Sequence, residues 1–416
     1  MFTIVYPEKS FKGAIYPAVT LQYLFWKRGV TLPLATTSTP STAEVVICER
    51  EGLEKGTFTA TTEGNRLTVC AADMFGFIAA SDFLTRELFA DAAPEIPTVN
   101  HTGSYQMEMC DEKKADLRVM YHNVWFHNQP SGTNIYGITG AWYELAEIMT
   151  YRPDVVGFNE FVDTWRNDTD IIELLRAIGY EEVKPINIQK NMITPLFYNT
   201  KTVKPVENSC YMLSYGEAIL DENYHSLLAP QKRYYKPTFT RYRTAVSAVF
   251  EELVSGKRFG ACVTHLESNY YCPHQQPDEG DPLREEEVKL LIPYLQFFAQ
   301  KYGVSFSVGG DYNSVIWRVA CKTLEAAGFE NARELATDKN DVCSCHGYPV
   351  YCEELNTYPD YVCAFAENNN IVGGYAYAID QIYTLGKLDV KSYRCLYEKT
   401  ILCSSDHSPV MMDFNV

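Results

Sequence analysis

The sequence predicts an α/β (α+β) chain in two units, a small α+β unit over residues 1–104 and a larger one over residues 116–416. Three observations carry this. From about residue 116 onward, short apolar runs alternate with helical patterns. Several of those runs adjoin compact clusters of acid, amide and imidazole side chains. Between the units, the stretch 90–104 carries Pro94, Pro97 and Gly103 and reads as a linker. A chain of 416 residues is also long for one hydrophobic core.

In the first unit, Phe2 to Tyr6 is a strand candidate. Ala14 to Lys27 follows with Ala18, Leu21, Leu24 and Phe25 on one helical face. Ala43 to Cys48 is a second strand. Phe58–Thr62 and Arg66–Ala71 form a hairpin around Glu63-Gly64-Asn65. Phe77 to Phe89 is an amphipathic helix. The segment Arg66 to Cys70, followed by Gly76 to Ala80 and a helix, resembles the small α+β domain that precedes the barrel in hexosaminidases and glucuronidases. It carries no catalytic residue, so a structural or docking role is expected.

In the second unit, Leu117 to Tyr121 is a strand and Gly140 to Thr150 a helix. Asp154 to Phe158 is a buried strand. Asp170 to Ile178 is a helix with Asp170 as N-cap, Glu173 three residues on, and Gly179 past its end. Pro195-Leu196-Phe197-Tyr198 is an apolar strand. Asp281 caps a helix that starts with Pro282, has Glu285, Glu286 and Glu287 in its early turns, and stops at Gly303. Pro293 is expected to kink it.

Net charge is -17. Nucleic-acid affinity rests on basic patches, so the balance disfavours a nucleic acid as substrate without forbidding one. No apolar run reaches the 18 or so residues of a transmembrane helix, and the N-terminus has no signal-peptide pattern. The 13 Cys are scattered, which predicts reduced thiols and a cytoplasmic location. Export remains the alternative if a leader has been removed. Cys343, Cys345, Cys352 and Cys363, with His346, cluster, but the spacings C-x-C, C-x6-C and C-x10-C match no common zinc pattern. Ordinary thiols are expected there.

Six clusters carry chemistry: Tyr121-His122-Asn123-Val124-Trp125, then Gly157-Phe158-Asn159-Glu160, then Thr264-His265-Leu266, then Gly309-Gly310-Asp311-Tyr312-Asn313-Ser314, then Ile379-Asp380, and Ser405-Asp406-His407-Ser408-Pro409-Val410. Taken singly, each has a plain explanation. Asn123 could close a turn, Glu160 could face a surface lysine, and His265 could be a satisfied core histidine. Six of one chemical kind, all expected at strand ends, predict one shared cleft.

The order of these motifs resembles that of the endonuclease/exonuclease/phosphatase superfamily over residues of about 116–416. Gly-Asp-Tyr-Asn at 310–313 and Ser-Asp-His at 405–407 are specific as a pair. The resemblance implies a four-layer α/β/β/α sandwich behind the small N-terminal α+β domain. It also implies a divalent-metal-dependent phosphoesterase using Mg²⁺ or Mn²⁺. Glu160 would be the main metal ligand, a hard oxygen donor for a hard cation, with Asn123 and Asp406 completing or supporting the shell. Asp311 would orient the attacking water, and Asn313 would hold the phosphate or Asp311. His265 and His407 would donate to phosphate oxygens, and Asp380 would orient one imidazole. Either Asp311 or His407 could be the base.

The family usually has Gln before the metal-binding Glu, where this chain has Asn159. The tyrosine that abasic-site enzymes place near the phosphate has no match. Lys232 to Lys236, continuing to Arg241 and Arg243, is the local basic and aromatic strip; Arg241, Arg243 and Tyr270 are candidate substrate contacts. The plain reading of the strip is a solvated loop. The expected substrate is a phosphodiester or phosphomonoester of a small molecule, lipid or sugar. The alternatives are a nuclease and a non-catalytic carbohydrate-binding scaffold. Oligomeric state is not legible.

Overall fold

The structure, a computed structural model, describes residues 1–7, 13–26, 28–39, 41–105, 111–124, 144–161, 166, 171–185, 194–214, 243–267, 281–344, 375, 378–396, 405 and 407–416. Asp406, Arg241, Tyr270 and residues 345–374, with the Cys and His among them, lie outside the described residues.

The first sheet is built from β1 (Thr3–Val5), β2 (Leu34–Ala35), β3 (Glu44–Glu49), β4 (Thr57–Glu63), β5 (Arg66–Ala71) and β6 (Asn100–Ser104) in the order β2-β1-β3-β5-β4-β6. Helix α1 (Ile15–Trp26) and helix α2 (Met74–Asp82) contribute Leu21, Phe25, Phe77 and Ala80 to its core. Helix α2 starts earlier than expected because Asp73 caps it, accepting from Gly76 N at 2.9 Å. It then widens into a π-helical turn over Phe83–Leu88.

Two sequence expectations are corrected here. The linker contains strand β6, which pairs antiparallel with β4. Its residues Asn-His-Thr-Gly-Ser have no apolar alternation; the ladder supplies the hydrogen bonds, and His101 stacks on Phe83 with ring centroids 4.3 Å apart. Cys48 and Cys70 face each other in the parallel β3–β5 register and form a disulfide, contrary to the expectation of reduced thiols throughout. A pairing across strands 22 residues apart depends on register, which composition does not encode.

The second sheet holds β7 (Leu117–Asn123), β8 (Val155–Asn159), β9 (Tyr180–Glu182), β10 (Leu196–Asn199), β16 (Asp338–Lys339), β18 (Asp389–Cys395) and β19 (Val410–Asn415), ordered β16-β18-β19-β7-β8-β10-β9. The third holds β11 (Val203–Ser214), β12 (Arg243–Glu252), β13 (Arg258–Thr264), β14 (Phe306–Asp311), β15 (Phe329–Asn331) and β17 (Asp380–Leu385), ordered β11-β12-β13-β14-β17-β15.

Period-two alternation decides how these sheets pack. Val119 and Tyr121 of β7, Val246 and Phe250 of β12, Val263 of β13 and Met412 of β19 share one core between the two sheets. Met120 and Met411 point the other way, into a layer shared with Leu145, Ile148, Ile171 and Leu175 of the helical segments 144–151 and 171–177. That apolar cluster runs on into the N-terminal sheet. On the far side, Ala245, Val249 and Phe306 meet Leu291, Leu295 and Phe298 of helix Asp281–Tyr302 and Leu324 of helix Val319–Ala326. The result is helix, sheet, sheet, helix, the four-layer order expected.

Three glycines let the sheets close. A Cβ on Gly309 would lie 2.1 Å from the Tyr121 ring, and one on Gly157 would lie 2.6 Å from Val263 Cβ. Gly310 has φ +132°, and a Cβ there would meet the Thr264 carbonyl at 2.0 Å. Helix Asp281–Tyr302 continues through Pro293 for 22 residues. The Asp281 carboxylate accepts from Arg284 at 2.6 Å and Arg318 at 3.0 Å. Among the described residues, no helix is long and apolar enough to cross a membrane.

Candidate active site

Parallel pairing of β7 with β8 and of β13 with β14 sends four chain segments to one rim. Asn123 and Asn159 sit opposite each other at the ends of β7 and β8, with Glu160 next in the chain. His265 follows β13, and Asp311 ends β14. Asp380 differs from the expectation, because it begins β17 instead of following a strand. That strand runs antiparallel to β14, so Asp380 lies directly opposite Asp311 at the same rim. His407 likewise precedes β19, which runs antiparallel to β7.

These side chains form one connected set. Asn123 Nδ2 donates to Asp311 Oδ2 at 3.0 Å and to Glu160 Oε1 at 3.4 Å. His265 Nε2 stands 3.4 Å from the same Asp311 oxygen. The other Asp311 oxygen accepts the Asn313 amide at 2.7 Å. His407 Nδ1 lies 2.7 Å from Asp380 Oδ2. Ligand atoms of Asp311, Asp380 and His407 all fall within 4.8 Å of one another, a group able to hold a metal ion.

Two of these residues have left-handed backbones, Glu160 with φ +59° and Asn313 with φ +47°. Such conformations are costly for residues with a Cβ and collect at functional sites. At Asn313 the side chain is anchored by donating to the Leu266 carbonyl at 3.0 Å, while its backbone holds Asp311.

Burial alone would raise the Asp311 carboxyl. The contact with His265, the nearby His407 and the Asn313 amide outweigh it and keep the group well below the usual carboxylate range. His265 moves down to about 4, first through burial and then through the Arg243 charge. At neutral pH the pair is therefore an aspartate anion beside a neutral imidazole. His265 Nδ1 has no hydrogen-bond partner among the described residues.

Arg243 is not on an open basic strip. It is 1% exposed, and Nη2 sits 3.3 Å from Glu267 Oε1. Burial would lower its guanidinium, and the charges of Glu267, Glu287 and Glu160, in that order, raise it instead. A cation held there acts on the rim from behind, by its field.

Sequence reasoning missed the carboxylates of the helical segment 144–151. His122 Nδ1 lies 2.6 Å from Glu144 Oε2 and 3.6 Å from Glu147 Oε2. Burial alone would lower the imidazole; Glu144 and then Glu147 raise it to about 9. The signal was Glu-x-x-Glu within a helical pattern, which puts both acids on one face. By sequence Asn159 is only a shortened Gln. Its carboxamide ties the two sheets, accepting from the Asp311 amide at 2.7 Å and donating to the Thr264 carbonyl at 3.0 Å.

The four layers and the rim define an α/β sandwich of the DNase I-like kind. The chain has the fold of endonuclease/exonuclease/phosphatase structures. One such protein from Bacteroides vulgatus is 18% identical with a TM-score of 0.51, over 72% of this chain and 98% of that one. A mannosyl-6-phosphatase from Bacteroides thetaiotaomicron is 17% identical with a TM-score of 0.52, over 72% and 100%. A functionally unknown protein from Enterococcus faecalis is 15% identical with a TM-score of 0.51, over 72% and 99%. No protein-family model matches the sequence, and no curated protein is similar to it in sequence.

Proposed function

We propose that this chain is a divalent-metal-dependent phosphoesterase, acting on a phosphodiester or phosphomonoester of a small molecule, lipid or sugar. The supporting observation is the joining of Glu160, Asn123, Asp311 and His265 with the Asp380–His407 pair through Asp311. The donor set fits a hard cation, because Glu160, Asp311 and Asp380 gather carboxylate oxygens at one rim with the Asn123 amide beside them. Glu160 would hold Mg²⁺ or Mn²⁺, with Asn123 and Asp406 in support. When bound, the cation withdraws charge from the phosphoryl oxygens.

The chain's own residues do the rest. Asp311 receives donors at 2.7 and 3.0 Å, so it persists as an anion suited to orienting a water. His407, backed by Asp380, is left as the group that moves a proton. Neutral His265 offers one N–H to a phosphate oxygen. Arg243 adds positive potential from behind, and Arg241 and Tyr270 remain candidate substrate contacts. The Cys48–Cys70 disulfide favours an exported protein over a cytoplasmic one.

The test is hydrolysis of bis-p-nitrophenyl phosphate, p-nitrophenyl phosphate, sugar 6-phosphates and supercoiled plasmid, each with Mg²⁺, Mn²⁺ or EDTA. Metal-dependent turnover of a small ester with intact plasmid is expected. Plasmid nicking would move the substrate to nucleic acid. No metal-dependent turnover of any substrate would overturn the proposal.

A further inference from the structure

His122 is immediately before Asn123 and is fully buried. Its Nε2 lies 2.9 Å from the backbone carbonyl of His407, and its Nδ1 lies 2.6 Å from Glu144 Oε2. A carbonyl and a carboxylate can only accept, so both ring nitrogens donate. The ring therefore links the helical segment 144–151 to the turn that carries His407. A second strap lies alongside it. Ser405 Oγ donates to the Asn123 carbonyl at 2.5 Å, and the His407 amide donates to the same Ser405 oxygen at 3.1 Å. Both bind the His407 turn to the end of β7, while the imidazole of His407 faces Asp380 on the other sheet.

We propose that His122, clamped by Glu144, is a positioning residue that fixes the His407 backbone and so aims the His407 imidazole at Asp380 and the rim. This rests on the phosphoesterase reading. The physical need is plain. The segment before β19 has little main-chain anchoring among the described residues, a bridge at His407 and the Ser408 amide donating to the Ser344 carbonyl at 2.6 Å, so side-chain hydrogen bonds share in fixing its position. An imidazole must sit within a few tenths of an ångström of its working place, and small misplacements are costly in rate. His122 offers a rigid ring with both ends committed. The Glu144 carboxylate at one nitrogen and the His407 carbonyl at the other prevent that ring from turning about its own bond.

The experiment uses full-length protein. His122→Phe keeps a ring of similar size and removes both hydrogen bonds; Glu144→Gln keeps the shape and removes the charge. With Mg²⁺ and bis-p-nitrophenyl phosphate, His122→Phe is expected to lower kcat about 10- to 100-fold. KM and the Mg²⁺ concentration for half-activation should hold within about twofold, since His122 is fully buried with both ring nitrogens committed to protein acceptors. Glu144→Gln should move in the same direction by less. A proton NMR signal from the His407–Asp380 hydrogen bond, at unusually low field, should be present in the native protein and lost or shifted in His122→Phe.

A folded His122→Phe enzyme with native kcat and an unchanged low-field signal would overturn the proposal. So would a rise in KM with kcat intact. If His122→Phe fails to fold, the Ser405→Ala, Glu144→Gln double variant decides by the same two readouts. If the native protein hydrolyses none of the phosphoesters, the functional reading fails, and the NMR signal alone decides whether His122 aims His407.

Discussion

Asp380 and His407 meet at 2.7 Å, although the first opens a strand of one sheet and the second precedes a strand of the other. The carboxylate selects one orientation of the ring, with Nδ1 turned to Asp380. Replacing Asp380 by Asn puts an amide where an acceptor is needed. The catalytic rate should fall by about two to four orders of magnitude, as should that of His407→Ala. The melting temperature should change little in either. The measurement is kcat on folded variants at fixed Mg²⁺; a fully active His407→Ala enzyme would refute its role.

Glu160 combines a left-handed backbone with a position at the rim. Strain of that kind costs about 1–3 kcal/mol. Glu160→Gly should relieve it, raising thermal stability, while abolishing metal-dependent turnover. Glu160→Gln should abolish turnover without the gain in stability. Comparing the two by calorimetry and by hydrolysis separates the side chain from the backbone. Lower stability in the glycine variant would show that no strain is stored there.

Carboxylates gathered at one rim repel one another, and a bound cation should relieve this. Mg²⁺ or Mn²⁺ should therefore raise the melting temperature, with a gain of about 2.7 kcal/mol at a hundred times Kd. Exhaustive EDTA treatment should abolish activity, and either metal should restore it. Asp311→Asn should bind metal with its rate cut by about two to four orders of magnitude. Full activity after EDTA would sink the metal role.

Away from the site, Asp111 accepts from Arg394 at 2.6 and 3.1 Å and lies 2.9 Å from the buried Arg118. Burial would raise its carboxyl; the Arg394 hydrogen bonds and then the Arg118 charge lower it. A depressed carboxyl stabilises the fold above the unfolded value of about 3.9 and loses that contribution as pH falls through the folded value. Asp111→Asn should thus destabilise at neutral pH by ~1–3 kcal/mol. The difference from the native protein should shrink steadily below about pH 4. Denaturant melts at several pH values would check it; a pH-independent difference would contradict it.

The rim was legible because apolar strand runs are short and polar residues beside them stand out. Glu160, His265 and Asp311 follow or end such runs directly. Asp380 was found by its motif, although it opens its strand, because antiparallel pairing returns a strand start to the same rim. What stayed hidden depends on partners remote in sequence. The burial of Arg243 follows from Glu267 beside it, and the Glu144–His122 contact from the packing of a helix on a sheet. Strand β6 has no apolar pattern at all, since its bonds are main-chain and its neighbours are set by β4.

Strand β19 lies between β18 and β7, inside its sheet, and its approach carries His407. During synthesis, β7 and β8 leave the ribosome some 290 and 250 residues before β19, spans visible in their numbering. Until β19 arrives, both β7 and β18 keep a bare edge toward the missing strand, the kind of surface that pairs with other chains. The nascent protein is therefore aggregation-prone for as long as β19 is missing, and the rim can acquire its last imidazole only when that gap is filled. Chaperone dependence should peak in that interval, and a cut upstream of residue 405 should leave a sticky, inactive product.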